Sequence, residues 1–453
     1  MKKVLIANRG EIACRIIRSC RELRLGTVAV CSEPDREALH AKLADEAFVI
    51  GLGAPKDSYL ASEKILDAAR SSGADAIHPG YGFLAENYRF AEEVIADGLR
   101  WIGPRPDTIE DMGDKERARD IARAANVPVL AGSPRFLVGD LDGLEEAAEE
   151  VGYPLLVKST AGGGGIGMKR VERQDVLRDT VVSTQGLAER AFKDGTVYLE
   201  KFIPRARHVE IQVFGYGDGH TVHLYERECS IQRRFQKIVE ESPSPGFPDV
   251  TRQKMAVAAV SLAHHARYRG AGTVEFVVDA DTFDFYFLEM NTRIQVEHPV
   301  TEMNTGLDLV SLQIRLARGD LPPFEQREIL HRGHAIECRI YAENPDKNFL
   351  PSPGDLKVFE PPEATQGLRI DTGFRQGDKV SFHYDPMIAK IISHAPTRDA
   401  AIQGLWTALG NFRIEGVHTN IRFLRRILSH PAFREGKTHT GFIEEHSSRL
   451  FGD

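Results

Sequence analysis

Several familiar signals are missing from this chain. No stretch approaches the roughly 18 apolar residues of a membrane span, so no membrane partner is expected. The five cysteines, Cys14, Cys20, Cys31, Cys229 and Cys338, are scattered with no CxxC pair. That speaks against a structural zinc site and for a reducing compartment. The N-terminus has no signal-peptide profile, because its apolar run, residues 4–7, is short and Arg9 follows closely; a cytoplasmic location is expected. Excess positive charge is lacking too: the net charge is -8, which argues against a general nucleic-acid binder. No GxGxxG follows the first strand and no G-K-[ST] closes the glycine run, so neither dinucleotide nor Walker-type binding is supported. There is no internal repeat, low-complexity segment or long linker. What remains is a chain of 453 residues, 42% hydrophobic and 27% charged. That describes a globular protein of about two to four domains.

The richest stretch is Leu288-Glu289-Met290-Asn291-Thr292-Arg293-Ile294-Gln295-Val296-Glu297-His298-Pro299. Residues 283–288 read as a strand ending at Glu289, and residues 273–278 as its partner, with the turn at 279–282. A turn centred near Thr282 places Glu275 opposite Glu289. Cross-strand like charges repel, and a divalent cation with oxygen ligands, Mg²⁺ or Mn²⁺, would remove the repulsion. Two solvated carboxylates on an edge hairpin are the plainer alternative.

In chain order, an apolar run, a helical pattern to Leu23 and a second strand make a βαβ beginning. Asn8-Arg9-Gly10-Glu11 sits at its first turn, either as a phosphate site or as a plain strand-to-helix turn. Residues 79–87, from Pro79 through Tyr81 to Asn87, mix turn residues with aromatics at a strand end, as a binding crevice does. The first α/β domain is expected at 1–103, a helical connector at 104–130 and a smaller α/β unit at 131–203. In that unit a strand ends at Lys158 and leads into Ser159-Thr160-Ala161 and four glycines, residues 162–165. Such a run lets backbone N–H groups approach an anion and suits a loop that closes. The strand at 197–203 carries Glu200 and Lys201, a polar pair able to meet a nucleobase. A strand-rich region spans 204–330. There His208, Glu210 and Gln212 share one strand face by period two, and the bases of residues 226–237, among them Lys237, suit an anion patch. The last region, 331–453, opens with an alternating strand from His334 to Tyr341. Carboxylates for metal, a glycine loop for phosphates and lysines for charge are what phosphoryl transfer needs. Arg293 and Lys237 could bind a planar oxyanion, with Glu297 accepting its proton.

These motifs resemble those of the biotin carboxylases of the ATP-grasp superfamily. The signatures are residues 6–13 (IANRGEIA), 78–84 (HPGYGFL), 112–115 (MGDK), 268–273 (YRGAGT) and 289–303. The resemblance implies an α/β and α+β protein with the ATP-grasp fold: an N-terminal α/β domain, a mobile glycine-loop lid and a C-terminal biotin carboxylase domain. It implies an ATP-dependent ligase in which bicarbonate attacks the γ-phosphate. Carboxyphosphate then yields CO₂ and phosphate, and biotin N1 is carboxylated. Lys115, Lys158, Glu200, Ile203 and His208 would line the ATP site, and Gly164 and Gly165 would cover the phosphates. Glu275, Glu289 and Asn291 would hold two Mg²⁺ or Mn²⁺ ions. Lys237, Arg293, Gln295 and Val296 would bind bicarbonate, Glu297 would be its base, Arg339 would stabilise the biotin enolate, and Tyr81 would lie near the ring. No lysine flanked by methionines and no carboxyltransferase region is recognisable, so a biotin carboxyl carrier protein and a carboxyltransferase are expected as partners, with the chain a homodimer. Two departures stand out. The lid reads Ser-Thr-Ala with Ile166, as in urea-type carboxylases, and Phe235 precedes Gln236-Lys237 where a polar residue is common. A component of a urea- or guanidine-type carboxylase, a non-catalytic assembly subunit and an amide-forming ATP-grasp ligase are the competing readings.

Overall fold

The computed structural model describes residues 1–160, 167–363 and 365–451. The glycine-loop expectations, with Gly164, Gly165 and Ile166, lie outside the described residues. Strands β1 (Lys3–Ile6), β2 (Gly26–Ser32), β3 (Glu46–Gly51), β4 (Ala76–His78) and β5 (Arg100–Trp101) form a parallel sheet in the order β3-β2-β1-β4-β5. Helix α1 (Gly10–Glu22) packs Ile12, Ile16 and Cys20 against Val4 and Ile6. Gly10 opens this helix at φ +65, a conformation glycine adopts without steric cost.

A second, three-stranded sheet joins β6 (Leu155–Ser159), β7 (Met168–Val171) and β8 (Val197–Lys201) in the order β7-β6-β8. The third sheet has eight strands. It contains β9 (Ala206–Tyr216), β10 (Thr221–Arg233), β11 (Gln236–Ser242), β12 (Arg269–Asp279), β13 (Phe285–Asn291) and β14 (His334–Tyr341), then Met387–Ala395 and Leu368–Thr372, in the order β13-β12-β9-β10-β11-β14-(387–395)-(368–372). It therefore runs across the expected 330/331 boundary, since β11 pairs with β14.

Alternation divides the large sheet into two faces. Val209, Ile211 and Val213 pack with Phe276 against Met255, Ala259 and Leu262 of the helix Asp249–His265. The intervening His208, Glu210 and Gln212 project the other way. Strand β13 begins two residues later than expected, because Phe283 sits in the turn at φ +61, and it continues to Asn291. A register shift separates Phe276↔Phe287 from Glu275↔Glu289, which leaves Leu288 as the extra residue. This bulge re-aims the side chains beyond it. Without it, Leu288 would oppose Glu275, and Glu289 and Asn291 would turn into the core.

The C-terminal helix Arg398–Asn411 is clamped to the sheet by Arg398, whose Nε donates to Glu241 Oε2 at 2.7 Å; His334 adds a contact to the same oxygen at 2.7 Å. Burial alone would raise the Glu241 carboxyl, but Arg398 and then His334 bring it down to about 2. A depressed carboxylate stabilises the fold fully above its ordinary value of 4.5 and loses that contribution as pH falls towards about 2. Arg398→Met is expected to cost about 3 kcal/mol at neutral pH and to flatten acid unfolding between those pH values, as read by circular dichroism.

Candidate functional site

The centre of the site is a lysine among carboxylates. Lys237 Nζ donates to Glu210 Oε2 at 2.7 Å, Glu275 Oε1 at 2.8 Å and Glu297 Oε1 at 2.9 Å. Its three N–H donors meet three carboxylates from separate parts of the chain. Behind it lies Arg227, fully buried. Arg227 donates to Glu210 Oε1 (2.5 Å), Gln212 Oε1 (2.7 Å), Thr301 Oγ1 (3.0 Å), Thr273 Oγ1 (3.0 Å) and Gln295 Oε1 (2.6 Å). All five guanidinium donors are satisfied, so Arg227 organises the site without offering a free edge to a ligand. The anion patch expected over 226–237 thus separates: Arg227 is structural, Lys237 belongs to the site, Arg233 pairs with Glu343 at 2.9 Å and Arg234 donates to Asn348 Oδ1 at 2.8 Å. Phe235 stands at the tip of the β10–β11 hairpin, 65% exposed and at φ +65.

Glu297 immediately precedes the helix His298–Thr305, and a helix start favours a carboxylate. It accepts from Lys237 and, at 2.9 Å, from Arg339 Nη2. These two cations, in that order, outweigh burial and hold its carboxyl well below the usual range. Arg339 also pairs with Glu240 at 2.6 Å.

On the metal side, Glu275 accepts from Asn291 Nδ2 at 2.8 Å and Gln295 Nε2 at 2.7 Å and contacts His208 Nε2 at 2.8 Å. Lys237 and then His208 overcome burial and keep it well below the ordinary carboxylate range. Glu289 differs: it is open to the cleft, and its carboxyl is raised by the surrounding protein first and Glu275 second. A cation there would relieve that repulsion, so the oxygen donors Glu275, Glu289 and Asn291 fit a divalent ion. Among the described residues, His208, Glu210 and Glu275 also converge within 4.8 Å, as do Glu210, Cys229 and Glu297. Glu289 is in neither group, and the carboxylates of both already hold the Lys237 ammonium.

Arg293 donates from Nε to Glu86 Oε2 at 2.8 Å and from Nη2 to Asn291 Oδ1 at 2.8 Å. Glu86 also accepts the Thr292 N–H at 3.1 Å. The Val296 carbonyl accepts from Lys390 at 2.6 Å, and Lys390 pairs with Glu11 at 3.1 Å. Arg293, Val296, Arg339 and Tyr81 border one cavity of about 480 Å³, joined by Gln236, Tyr384 and Phe83. Asn8 Nδ2 bridges the Pro79 and Tyr81 carbonyls at 2.7 and 2.8 Å, and the Tyr81 hydroxyl meets Glu11. The first turn is thereby a wall of this cavity, with Arg9 committed to Asp35 at 2.6 Å.

The nucleotide candidates gather around Glu200, which pairs with Lys158 at 2.6 Å and with Arg119. Burial and then the like charge of Lys158 lower the Lys115 ammonium. Ile203 is buried, and His208 Nδ1 contacts Gln232 Nε2 at 2.7 Å. Two of the expected site residues hold other partners through their side chains. The Lys201 ammonium faces away from Glu200 and binds the Gly152 and Tyr153 carbonyls at 3.1 and 3.0 Å, because neighbours on a strand point to opposite faces. The Gln295 amide accepts from Arg227 at 2.6 Å and donates one Nε2 hydrogen to Glu275 at 2.7 Å, which leaves its second Nε2 hydrogen and its backbone for an anion. Sequence reasoning missed Glu86, Glu240, Lys390 and the structural role of Arg227. Glu86 did lie in the 79–87 crevice; nothing local marks the other three.

Residues 1–109 match the family description "Biotin carboxylase, N-terminal domain", residues 114–322 "Carbamoyl-phosphate synthase L chain, ATP binding domain" and residues 337–445 "Biotin carboxylase C-terminal domain". Biotin carboxylase 1 of Bacillus subtilis (strain 168) is 50% identical over 98% of this chain and 98% of its own. The mitochondrial methylcrotonoyl-CoA carboxylase subunit alpha of Mus musculus is 49% identical over 99% of this chain, which spans only 62% of that relative's length. The biotin carboxylase domain dimer of Hydrogenobacter thermophilus 2-oxoglutarate carboxylase, solved with MgADP, ADP and bicarbonate, superposes with a TM-score of 0.93. It shares 44% identity over 99% of this chain and 98% of that one.

Proposed function

The chain belongs to the biotin carboxylase family, and from that premise we propose that it carboxylates biotin N1 with ATP and bicarbonate. Biotin is supplied on a carrier protein, and a carboxyltransferase partner takes the product onward. The observation that carries this reading is Glu297, an ionised carboxylate fastened between Lys237 and Arg339. It links the bicarbonate side of the site to the cavity that would receive biotin.

Bicarbonate binds to Arg293 and Lys237 and to the backbone at Gln295 and Val296. The contacts that keep Glu297 ionised also weaken it as a base. The incoming oxyanion draws on Lys237, so the Glu297 carboxylate becomes more basic as it takes the bicarbonate proton. The freed oxygen attacks the γ-phosphate, held by Lys115 and Lys158. Glu275, Glu289 and Asn291 would hold Mg²⁺ or Mn²⁺, which supplies neutralisation of the phosphate charge. Carboxyphosphate releases CO₂, and the phosphate formed takes the biotin N1 proton. Arg339 then faces the developing enolate oxygen with a permanent charge. The same residue set disfavours a non-catalytic subunit. A urea- or guanidine-type acceptor draws no support from the relatives named above, whose names give methylcrotonoyl-CoA and 2-oxoglutarate. An amide-forming ligase would leave the Arg293–Glu297 arrangement unused. A homodimer is consistent with the dimeric relative, and no helix among the described residues is long and apolar enough to cross a membrane.

ADP release by the purified chain is expected to require both bicarbonate and biotin for full rate; release indifferent to both would end the proposal. Glu86 is expected to matter through Arg293. Glu86→Ala should raise KM for bicarbonate about tenfold, the scale of one lost charge-assisted contact, and leave KM for ATP unchanged. Steady-state kinetics with each substrate varied in turn checks both.

A further inference from the structure

The cleft face of the large sheet carries a buried acidic pair that the proposed reaction leaves unused. Glu240 on β11 and Glu337 on β14 are direct cross-strand partners, and neither exposes any surface. Like charges so placed repel, and more strongly in a buried, low-dielectric setting. All four oxygens of the pair lack a hydrogen-bond partner, and what separates the two is charge contact: Glu240 forms an ion pair with Arg339 at 2.6 Å.

The charged and titratable groups facing the pair come from every neighbouring strand. They are Lys237 on β11, Arg339 and Tyr341 on β14, Lys390 on the strand Met387–Ala395, Glu297 before its helix, and the thiols Cys229 and Cys338. Their cations are already engaged. Lys237 serves three other carboxylates, Lys390 holds Glu11 and the Val296 carbonyl, and Arg339 is shared between Glu240 and Glu297. One shared guanidinium therefore faces two buried carboxyl groups, which is compensation for one negative charge and not for two.

Resting on the function proposed above, we propose that Glu337 is kept as a neutral carboxylic acid, that Glu240 is the anion behind Arg339, and that the two are positioning residues which aim the Arg339 guanidinium at biotin. Burial first, opposed by Lys390 and reinforced by Glu240, drives the Glu337 carboxyl well above the usual range. Burial likewise pushes Glu240 up to about 7 against the pull of Arg339. The pair titrates as a unit. As pH rises through about 7, Glu240 becomes the anion and engages Arg339. Below that, Arg339 keeps only Glu297.

The test compares biotin-dependent turnover with bicarbonate-dependent ADP release in the absence of biotin, using the full chain. Glu240→Gln removes the anion. Biotin-dependent turnover should fall about tenfold or more, its rise with pH across neutrality should flatten, and ADP release without biotin should be unchanged. Glu337→Gln imitates the neutral acid, so both reactions should be retained. Infrared spectroscopy of the wild type should show a carboxylic acid C=O band above the ordinary carboxylate titration range that Glu337→Gln removes. This readout does not depend on how well Glu240→Gln folds. The proposal is overturned if the acid band is missing, if Glu337→Gln loses as much activity as Glu240→Gln, or if Glu240→Gln leaves biotin-dependent turnover intact. A wild type without biotin-dependent turnover would instead remove the proposed function itself.

Discussion

Glu297→Gln is expected to lower biotin-dependent turnover by about 10²-fold or more, the low end for a lost general base. The substitution preserves shape and removes the proton acceptor. The amide oxygen still accepts from one of Lys237 and Arg339 (each at 2.9 Å from Glu297), while the amide NH2 cannot accept from the other. The loss should therefore appear in kcat, with KM for ATP unchanged, because the ATP-side residues around Glu200 and Lys158 are untouched. Near-normal turnover would mean that another group takes the bicarbonate proton.

Lys237→Met should have the largest effect on stability, about 3–5 kcal/mol at neutral pH, the scale for breaking a buried ion pair from one side. It removes the ammonium shared by Glu210, Glu275 and Glu297, which are respectively 0%, 4% and 2% exposed, and leaves them Arg227, His208 and Arg339 as their remaining basic partners. The pH dependence should change sign. In the wild type Glu275 and Glu297 lie below their ordinary value of 4.5, so their contribution is complete above that value and is lost as pH falls below it. Without the ammonium, burial dominates and raises the carboxyl groups. A raised group favours the fold at low pH and loses its contribution as pH rises, so the variant should gain stability on acidification from neutral pH to about 5. Melting temperature measured across that range separates the two behaviours. Activity should be lost as well, since bicarbonate loses one of its two cations.

Much of the site was legible because it is local. The residues from Glu289 to Glu297 carry their chemistry in nine positions, and period-two alternation set His208, Glu210 and Gln212 on one face. The pairing of Glu275 with Glu289 was also legible, although a turn centred on Thr282 is not what produces it. The bulge at Leu288 supplies the extra residue, and periodicity does not reveal a bulge in advance. The features that stayed hidden depend on contacts distant in sequence. Lys237 meets partners 27, 38 and 60 residues away. Arg227 reads in sequence only as one base of an anion patch, whereas its five partners lie as far as 74 residues away. The large sheet crosses residue 330 because β11 pairs with β14, and no composition shift marks that join. The direction of the Lys201 ammonium follows from a simpler fact: it adjoins Glu200 in sequence, and adjacency on a strand means opposite faces.

Everything in the proposed mechanism turns on bicarbonate itself attacking the γ-phosphate, and an oxygen label reads that bond directly. With bicarbonate labelled in all its oxygens, ATP, Mg²⁺ and biotin supplied to the purified chain, one labelled oxygen is expected in each phosphate released during biotin-dependent turnover. Phosphate carrying oxygen from water alone would contradict that attack.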